Sequence, residues 1–242
     1  MRYLIAGNWK MNGTVASARA LATAIAAKHA AAKADVALCP PAPLLAAVGE
    51  VLAGSTVRLA AQDCHFNEKG AHTGDTSAAL LMDIGCTYVI VGHSERRADH
   101  AETDGQVKAK ATAAMKAGLI PIVCVGETDA QREKGETAAV IARQVQGSMP
   151  DGATAKNCVI AYEPVWAIGT GKTATTADIA AVHAQIGGLC AGPRILYGGS
   201  VKGSNAAAIL ATPGVNGALV GGASLDAEDF WRIIEACPAV SA

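Results

Sequence analysis

Eight short runs rich in Val, Ile, Leu or Ala recur roughly every thirty residues, and this repeat constrains the fold more than any other feature of the chain. The runs are 3–8, 35–39, 57–62, 88–92, 120–125, 158–163, 195–197 and 217–220. Ala-rich segments with helical spacing lie between them, most clearly at 15–29, 104–117, 135–146 and 178–190. Several runs are continuously apolar rather than alternating, as strands buried on both faces must be. Strand–helix alternation eight times over predicts an α/β fold, a closed (β/α)8 barrel. With 242 residues, 51% of them hydrophobic, and no break in composition, the span 1–242 is expected to form one domain.

Local signals mark the element ends. Thr103 or Asp104 can open one helix, and Gly118 follows its last turn. The segment 175–178, Thr-Thr-Ala-Asp, reads as a capping box. Glu228 and Asp229 fall in the first turn of a helix near 227–236, where the helix dipole favours acids. The exception to the compact pattern is the segment 63–76, which is long, polar and punctuated by glycine; a long loop in a compact domain is usually functional.

Composition excludes several classes. A formal charge of −1 and a pI near 6.6 give no electrostatic footprint for nucleic acid or an acidic membrane, so any anion site must be built locally. No apolar run is long enough to span a membrane, and the N-terminus lacks the pattern of a signal peptide. Seven dispersed cysteines without a Cys-x-x-Cys pair point to reduced thiols and a cytoplasmic setting. Cys64, His65 and His72 lack a fourth ligand at any usual spacing, so no metal is expected.

In such a barrel the chemistry sits where strands hand over to loops at their C-terminal ends. Asn8 and Lys10 follow the first strand, His93, Ser94 and Glu95 the fourth, and Glu127 the fifth. Glu163 ends the sixth, Ser200 follows the seventh, and Gly221 and Gly222 follow the eighth. Glu163 is followed by Pro164, Val165 and Trp166 and then by a loop tip of small residues, a carboxylate beside a segment able to swing. Its apolar neighbours are expected to raise its pKa and make it a better base. His93 precedes the helix start Ser94-Glu95-Arg96-Arg97, whose amides would pair with an unprotonated ring nitrogen and keep the imidazole neutral. Lys10 offers a fixed positive charge for an anion or a developing oxyanion, or else a Schiff-base nucleophile. Gly169, Ser200, Gly221 and Gly222 can present amides to a phosphate. Gly171-Lys172-Thr173 is not a nucleotide-binding loop, because Trp166 stands where that motif needs glycine. Cys124 ends the fifth strand and reads as a packed thiol rather than a nucleophile.

Six motifs together resemble the triosephosphate isomerase family over essentially the whole chain. They are Gly-Asn-Trp-Lys-Met-Asn-Gly at 7–13, Val-Gly-His-Ser-Glu-Arg-Arg at 91–97 and Cys-Val-Gly-Glu at 124–127. The others are the segment 161–174, Tyr-Gly-Gly-Ser-Val at 197–201 and Val-Gly-Gly-Ala-Ser-Leu at 220–225. The resemblance implies a TIM barrel that interconverts D-glyceraldehyde 3-phosphate and dihydroxyacetone phosphate through an enediolate, with no cofactor. It implies Glu163 as base, His93 as electrophile, Lys10 and Asn8 on the substrate and oxyanion, and Glu95 as the acid that places the lysine. Gly169, Ser200, Gly221 and Gly222 would hold phosphate. The lid would comprise Pro164, Val165, Trp166, Ala167, Ile168, Gly169, Thr170, Gly171, Lys172, Thr173 and Ala174. Ile168 and Leu219 would clamp the base and Tyr197 would hold the closed lid. The resemblance further implies a homodimer in which Thr73 reaches the neighbour's site and Asp75 faces Arg96. Asp63, His72 and Asp75 depart from the usual Asn, larger aromatic and Glu, which puts Asp75 short of Arg96 across the interface. Two rival readings of the residues stay open at this point: a Schiff-base aldolase working through Lys10, and a sugar-phosphate binder without activity.

Overall fold

The computed structural model describes residues 2–168 and 172–239. The first half of the chain runs β1 (Leu4–Asn8), α1 (Val15–Ala26), β2 (Asp35–Cys39), α2 (Leu45–Leu52), β3 (Arg58–Ala61), α3 (Ala78–Asp83), β4 (Cys86–Val91), α4 (Ser94–Asp99) and α5 (Asp104–Ala117). The second half runs β5 (Ile120–Val125), α6 (Asp129–Glu133), α7 (Thr137–Ser148), β6 (Val159–Tyr162), α8 (Thr176–Leu189), β7 (Arg194–Tyr197), α9 (Ala206–Leu210), β8 (Gly217–Val220) and α10 (Ala227–Glu235). The strands pair in parallel in chain order, and β8 closes on β1 through Leu4 opposite Gly217. The closed (β/α)8 barrel expected from the repeat is what forms.

Two apolar layers explain the unbroken strand sequences. Alternate residues such as Leu4, Ala6, Ala37, Ala60, Ile90, Ile122, Ala161 and Leu196 fill the barrel interior. Their neighbours, among them Ile5, Leu38, Val91, Val123 and Ile160, pack outward against the helices. An eight-stranded barrel is only wide enough for its own side chains, which is why alanine recurs on the inner face. At Gly217 a side chain would collide with the Leu4 backbone, so the seam of the barrel needs glycine there.

The caps act where the sequence puts them. Thr103 and Gln106 form a reciprocal capping box on α5, Gly118 ends it at φ 95°, and Thr175 and Asp178 cap α8 in the same way. Several boundaries differ from expectation; α8 and β4, for instance, begin earlier, at Thr176 and Cys86. The run 15–29 ends its α-helix at Ala26 and continues as a single tight turn, His29–Ala31. The run 135–146 begins two residues later, because Gly135 at φ 71° reverses the chain after α6. No helix among the described residues is long and apolar enough to cross a membrane.

Candidate active site

The strand ends bring Asn8, Lys10, His93, Glu163, Ile168, Ser200, Leu219, Gly221 and Gly222 around one cavity of about 400 Å³. This is the size of a small-molecule site. All but Gly169 of the residues proposed for catalysis and phosphate binding are described, and all but Glu95 of those described line this cavity. Glu95 stands behind it, where its Oε1 accepts the Lys10 ammonium at 2.5 Å. Gly169, Thr170 and Gly171 of the lid lie outside the described residues.

Lys10 is held by a strained backbone. Its φ of 53° is unfavourable for a residue with a side chain and costs on the order of 1 kcal/mol. The Asn8 side chain compensates by accepting the Lys10 N–H at 3.1 Å, and the Gln62 amide donates to the Lys10 carbonyl at 2.9 Å. Gln62 also donates to the Cys39 carbonyl, tying the first two strand ends together. Sequence reasoning missed Gln62, since nothing marks one glutamine as a brace until the barrel closes.

Glu163 and His93 form a buried pair. Glu163 is 2% exposed, and its Oε1 lies 2.9 Å from His93 Nε2 while its Oε2 accepts the Ser94 N–H at 2.9 Å. His93 caps the start of α4, and its Nδ1 accepts the Glu95 N–H at 3.2 Å. An amide donor on Nδ1 leaves the ring hydrogen on Nε2, facing the carboxylate. The tautomer expected from the helix start is therefore the one the geometry requires.

The charge balance of the resting pair overturns one expectation. Burial would raise the Glu163 pKa, but His93 and the Ser94 N–H outweigh burial and hold it below the ordinary carboxylate value. Burial would likewise lower the His93 pKa, yet the Glu163 carboxylate pushes it above the ordinary imidazole value. Apolar neighbours in sequence said nothing of these two partners, which come from the end of β4.

Three glycines and an arginine shape the site, and two of the glycines, Gly198 and Gly199, line the cavity itself. A side chain at Gly126 would overlap the Glu163 carbonyl, and one at Gly198 would come within 2.9 Å of Glu163 Cγ. At Gly199 it would strike the Tyr197 ring. Arg97 donates to the Gly92 and Cys124 carbonyls at 2.9 and 3.1 Å and pairs with Asp104 at 2.6 Å, fixing α4 to β4, β5 and α5.

The two stems of the segment expected to form a lid are anchored from several sides. Val165–Ala167 form a tight turn. Trp166 Nε1 and the Tyr162 hydroxyl both donate to Glu127 Oε1, at 2.8 and 3.2 Å, and the Arg132 guanidinium stacks over the indole at 4.1 Å. Glu127 thus has a task that its position alone did not reveal. Ser200 Oγ donates to the Ala167 carbonyl at 2.8 Å. Tyr197 hydrogen-bonds the Ala174 backbone at the far stem, and Lys172 pairs with Asp129 at 2.8 Å. Cys124 is fully buried and its thiol is pushed well above its ordinary pKa by burial, then by the Glu163 charge, as suits a packing residue.

The proposed dimer residues stand apart from this cavity. Thr73 and Asp75 are exposed on the loop 63–76. Arg96 already has acids in its own chain, with Asp63 at 2.9 Å and Glu102 at 2.6 Å. Lys110 joins both acids, at 2.8 and 2.5 Å. Asp63, flagged as a departure, is thus one corner of a four-membered charge cluster, and Asp75 turns toward His65 at 3.8 Å.

Comparisons with known proteins agree with this geometry. A family model described as triosephosphate isomerase matches residues 3–237. The chain is 57% identical to a triosephosphate isomerase of Rhodopseudomonas palustris (strain BisA53), over 98% of both chains. It is 56% identical to one of Xanthobacter flavus, over 97% of both. The crystal structure of triosephosphate isomerase from Bartonella henselae superposes with a TM-score of 0.91 at 47% identity, covering 98% of this chain and 99% of that one.

Proposed function

The chain belongs to the triosephosphate isomerase family and interconverts D-glyceraldehyde 3-phosphate and dihydroxyacetone phosphate; from that premise we propose how its own residues perform the reaction. The observation that carries the proposal is the meeting of Glu163, His93 and Lys10 on one cavity with Ser200, Gly221 and Gly222.

Glu163 takes a proton from the carbon beside the carbonyl of the bound triose phosphate. Negative charge then develops on the carbonyl oxygen, and the donors must already point there. The His93 Nε2–H, now spent on Glu163, is free to turn to that oxygen once the carboxylate moves to carbon. The Lys10 ammonium adds a fixed charge, and Asn8 keeps the lysine backbone in place. Glu163 returns the proton to the neighbouring carbon, while His93 redistributes protons between the two enediolate oxygens. When Glu163 leaves Ser94 and His93, its burial is no longer opposed and its pKa rises toward that of a useful base.

Ser200, Gly221, Gly222 and Gly169 hold the phosphate, largely through neutral donors, in keeping with the balanced charge of the chain. Residues 164–174 close over it, with Ile168 and Leu219 against the base. Closure excludes water and keeps the intermediate from expelling phosphate. An ion-paired Lys10 opposes the Schiff-base alternative, because an ammonium held by Glu95 at 2.5 Å is no nucleophile.

The chain as one domain, a homodimer and a cytoplasmic location complete the reading. Met11, after the first strand, is 94% exposed, and Leu80, in the helix that follows the loop 63–76, is 57% exposed. A second cleft of about 540 Å³ opens beside Lys10, Glu95 and Arg96 and is large enough for the loop tip of a second copy. The cysteines are free thiols, which supports a reducing compartment. The test is Glu163→Gln in a coupled assay. Turnover should fall by at least 10² to 10⁴ with KM for triose phosphate little changed. Near-normal turnover rejects Glu163 as the base.

A further inference from the structure

We propose that the loop 63–76 carries a binding site for a divalent transition-metal cation, formed by His65, His72 and Asp75. Their ligand atoms all lie within 4.8 Å of one another. The site's three ligands come from one chain, on the loop whose tip the homodimer reading places in the cleft of a second copy.

The loop builds the cluster through its backbone. His65 N–H donates to the Thr76 carbonyl at 2.8 Å, and His65 bridges to Ser77, so the two stems lie side by side. This sets His65 against Asp75, with Nε2 and Oδ2 3.8 Å apart. His72 N–H donates to Gly70 and Asp75 N–H to His72, at 3.0 and 3.1 Å. Gly70 at φ 134° and Gly74 at φ 90° permit these reversals, which fold His72 back until its ring centroid is 4.1 Å from that of His65.

Two imidazoles and one carboxylate form a donor set suited to Zn²⁺ and its neighbours, whereas Mg²⁺ and Ca²⁺ favour oxygen alone. Ligand atoms in a tetrahedral zinc site stand roughly 3.4 Å apart. The loop must therefore contract slightly, which brings Asp75 Oδ2, now 3.8 Å from His65 Nε2, closer to the rings. The cavity lined by the three side chains, about 400 Å³, has room for the ion and for water in the fourth position. The fourth protein ligand whose absence argued against a metal in the sequence is then not needed.

Asn67 holds the loop in its metal-free form. Its backbone N–H donates to His65 Nδ1 at 2.9 Å, and its side-chain nitrogen lies 2.7 Å from His72 Nε2. The ring hydrogen of His65 is therefore on Nε2, toward Asp75. A cation at Nε2 takes that place, the hydrogen moves to Nδ1, and the Asn67 bond is given up. Cys64 takes no part, since its Sγ turns inward toward the Lys110 carbonyl at 3.9 Å and burial pushes its thiol up to about 12.

The test uses the full chain stripped of metal with a chelator, titrated with ZnCl2 in a calorimeter and with Co²⁺ in a spectrophotometer. One Zn²⁺ per chain is expected, with ligand-field bands for Co²⁺ and no thiolate charge-transfer band. His65→Gln, His72→Gln and Asp75→Asn should each weaken binding by at least about tenfold. Absence of saturable binding, affinity unchanged in the folded histidine variants, or a thiolate band would overturn the site.

Discussion

Replacement of Glu102 by Gln tests the charge cluster beneath the catalytic helix. Glu102 is buried, and its Oε1 accepts from Arg96 at 2.6 Å and from Lys110 at 2.5 Å, while Oε2 has no partner. Glutamine keeps an acceptor but loses the charge, which weakens the two bonds by about 1 kcal/mol each. Its amide nitrogen takes the place of the unpartnered Oε2 and adds an unsatisfied buried donor, at about 1–3 kcal/mol. The sum, about 3–5 kcal/mol, equals the range for breaking a buried ion pair. For a chain of this size that lowers Tm by about 10 °C, compared at equal protein concentration. The pH dependence gives the sign. Burial opposes ionisation of Glu102, but Lys110 and Arg96 outweigh it and hold its pKa below the ordinary value. Its contribution is therefore complete above the unfolded carboxyl pKa of about 4.3 and is lost as pH falls through the depressed folded value. Asp63 shifts upward through burial and the nearby Glu102 charge, so removing that charge relieves part of its shift and offsets a part of the loss. Urea unfolding of the two chains from neutral to acidic pH measures the difference. A gap below about 1 kcal/mol at neutral pH, or one that fails to close on acidification, refutes the pairing.

Two further substitutions probe the site and its assembly. Gly126→Ala places a methyl group on the Glu163 carbonyl, so the ends of β5 and β6 must part; a shift of about 1 Å in the base should lower kcat about 10²-fold, and wild-type turnover refutes this. Thr73→Arg should weaken the homodimer and reduce activity together, and sedimentation showing an unchanged dimer would break that link.

The fold was legible because two kinds of local signal agreed. Unbroken apolar runs such as Ile120–Val125 reported burial on both faces, and caps such as Thr103 and Gly118 reported where the helices stop. The residues proposed for catalysis were singled out for a related reason: each sits within a few positions of a strand end, and strand ends converge in a closed barrel. What escaped was every relation between strands. Gln62 braces Lys10, and Glu127 receives Trp166. Gly126 makes way for the Glu163 backbone. Asp63 was singled out only as a departure at the expected interface, and its bond to Lys110, nearly fifty positions away in sequence, could not be read from its position. Asp75 joined the histidines only when the loop stems paired.

The resting base shows why proximity in sequence misjudges a carboxylate. Pro164, Val165 and Trp166 supply the apolar surroundings that were expected to raise the Glu163 pKa, and burial does act in that direction. Two donors from the end of β4 reverse the outcome: the His93 ring at 2.9 Å and the Ser94 N–H at 2.9 Å. Both are geometric, so both vanish if the carboxylate moves by the length of a hydrogen bond. Burial then stands alone and favours the protonated acid, which is the condition for drawing a proton from carbon. The same displacement removes the larger of the two carboxylate charges that raise the His93 pKa; Glu95 still raises it, while burial and Lys10 lower it and the Glu95 N–H on Nδ1 keeps the ring hydrogen on Nε2. One motion of one side chain therefore prepares acceptor and donor together, and the energy of the resting contacts is part of what substrate binding must replace.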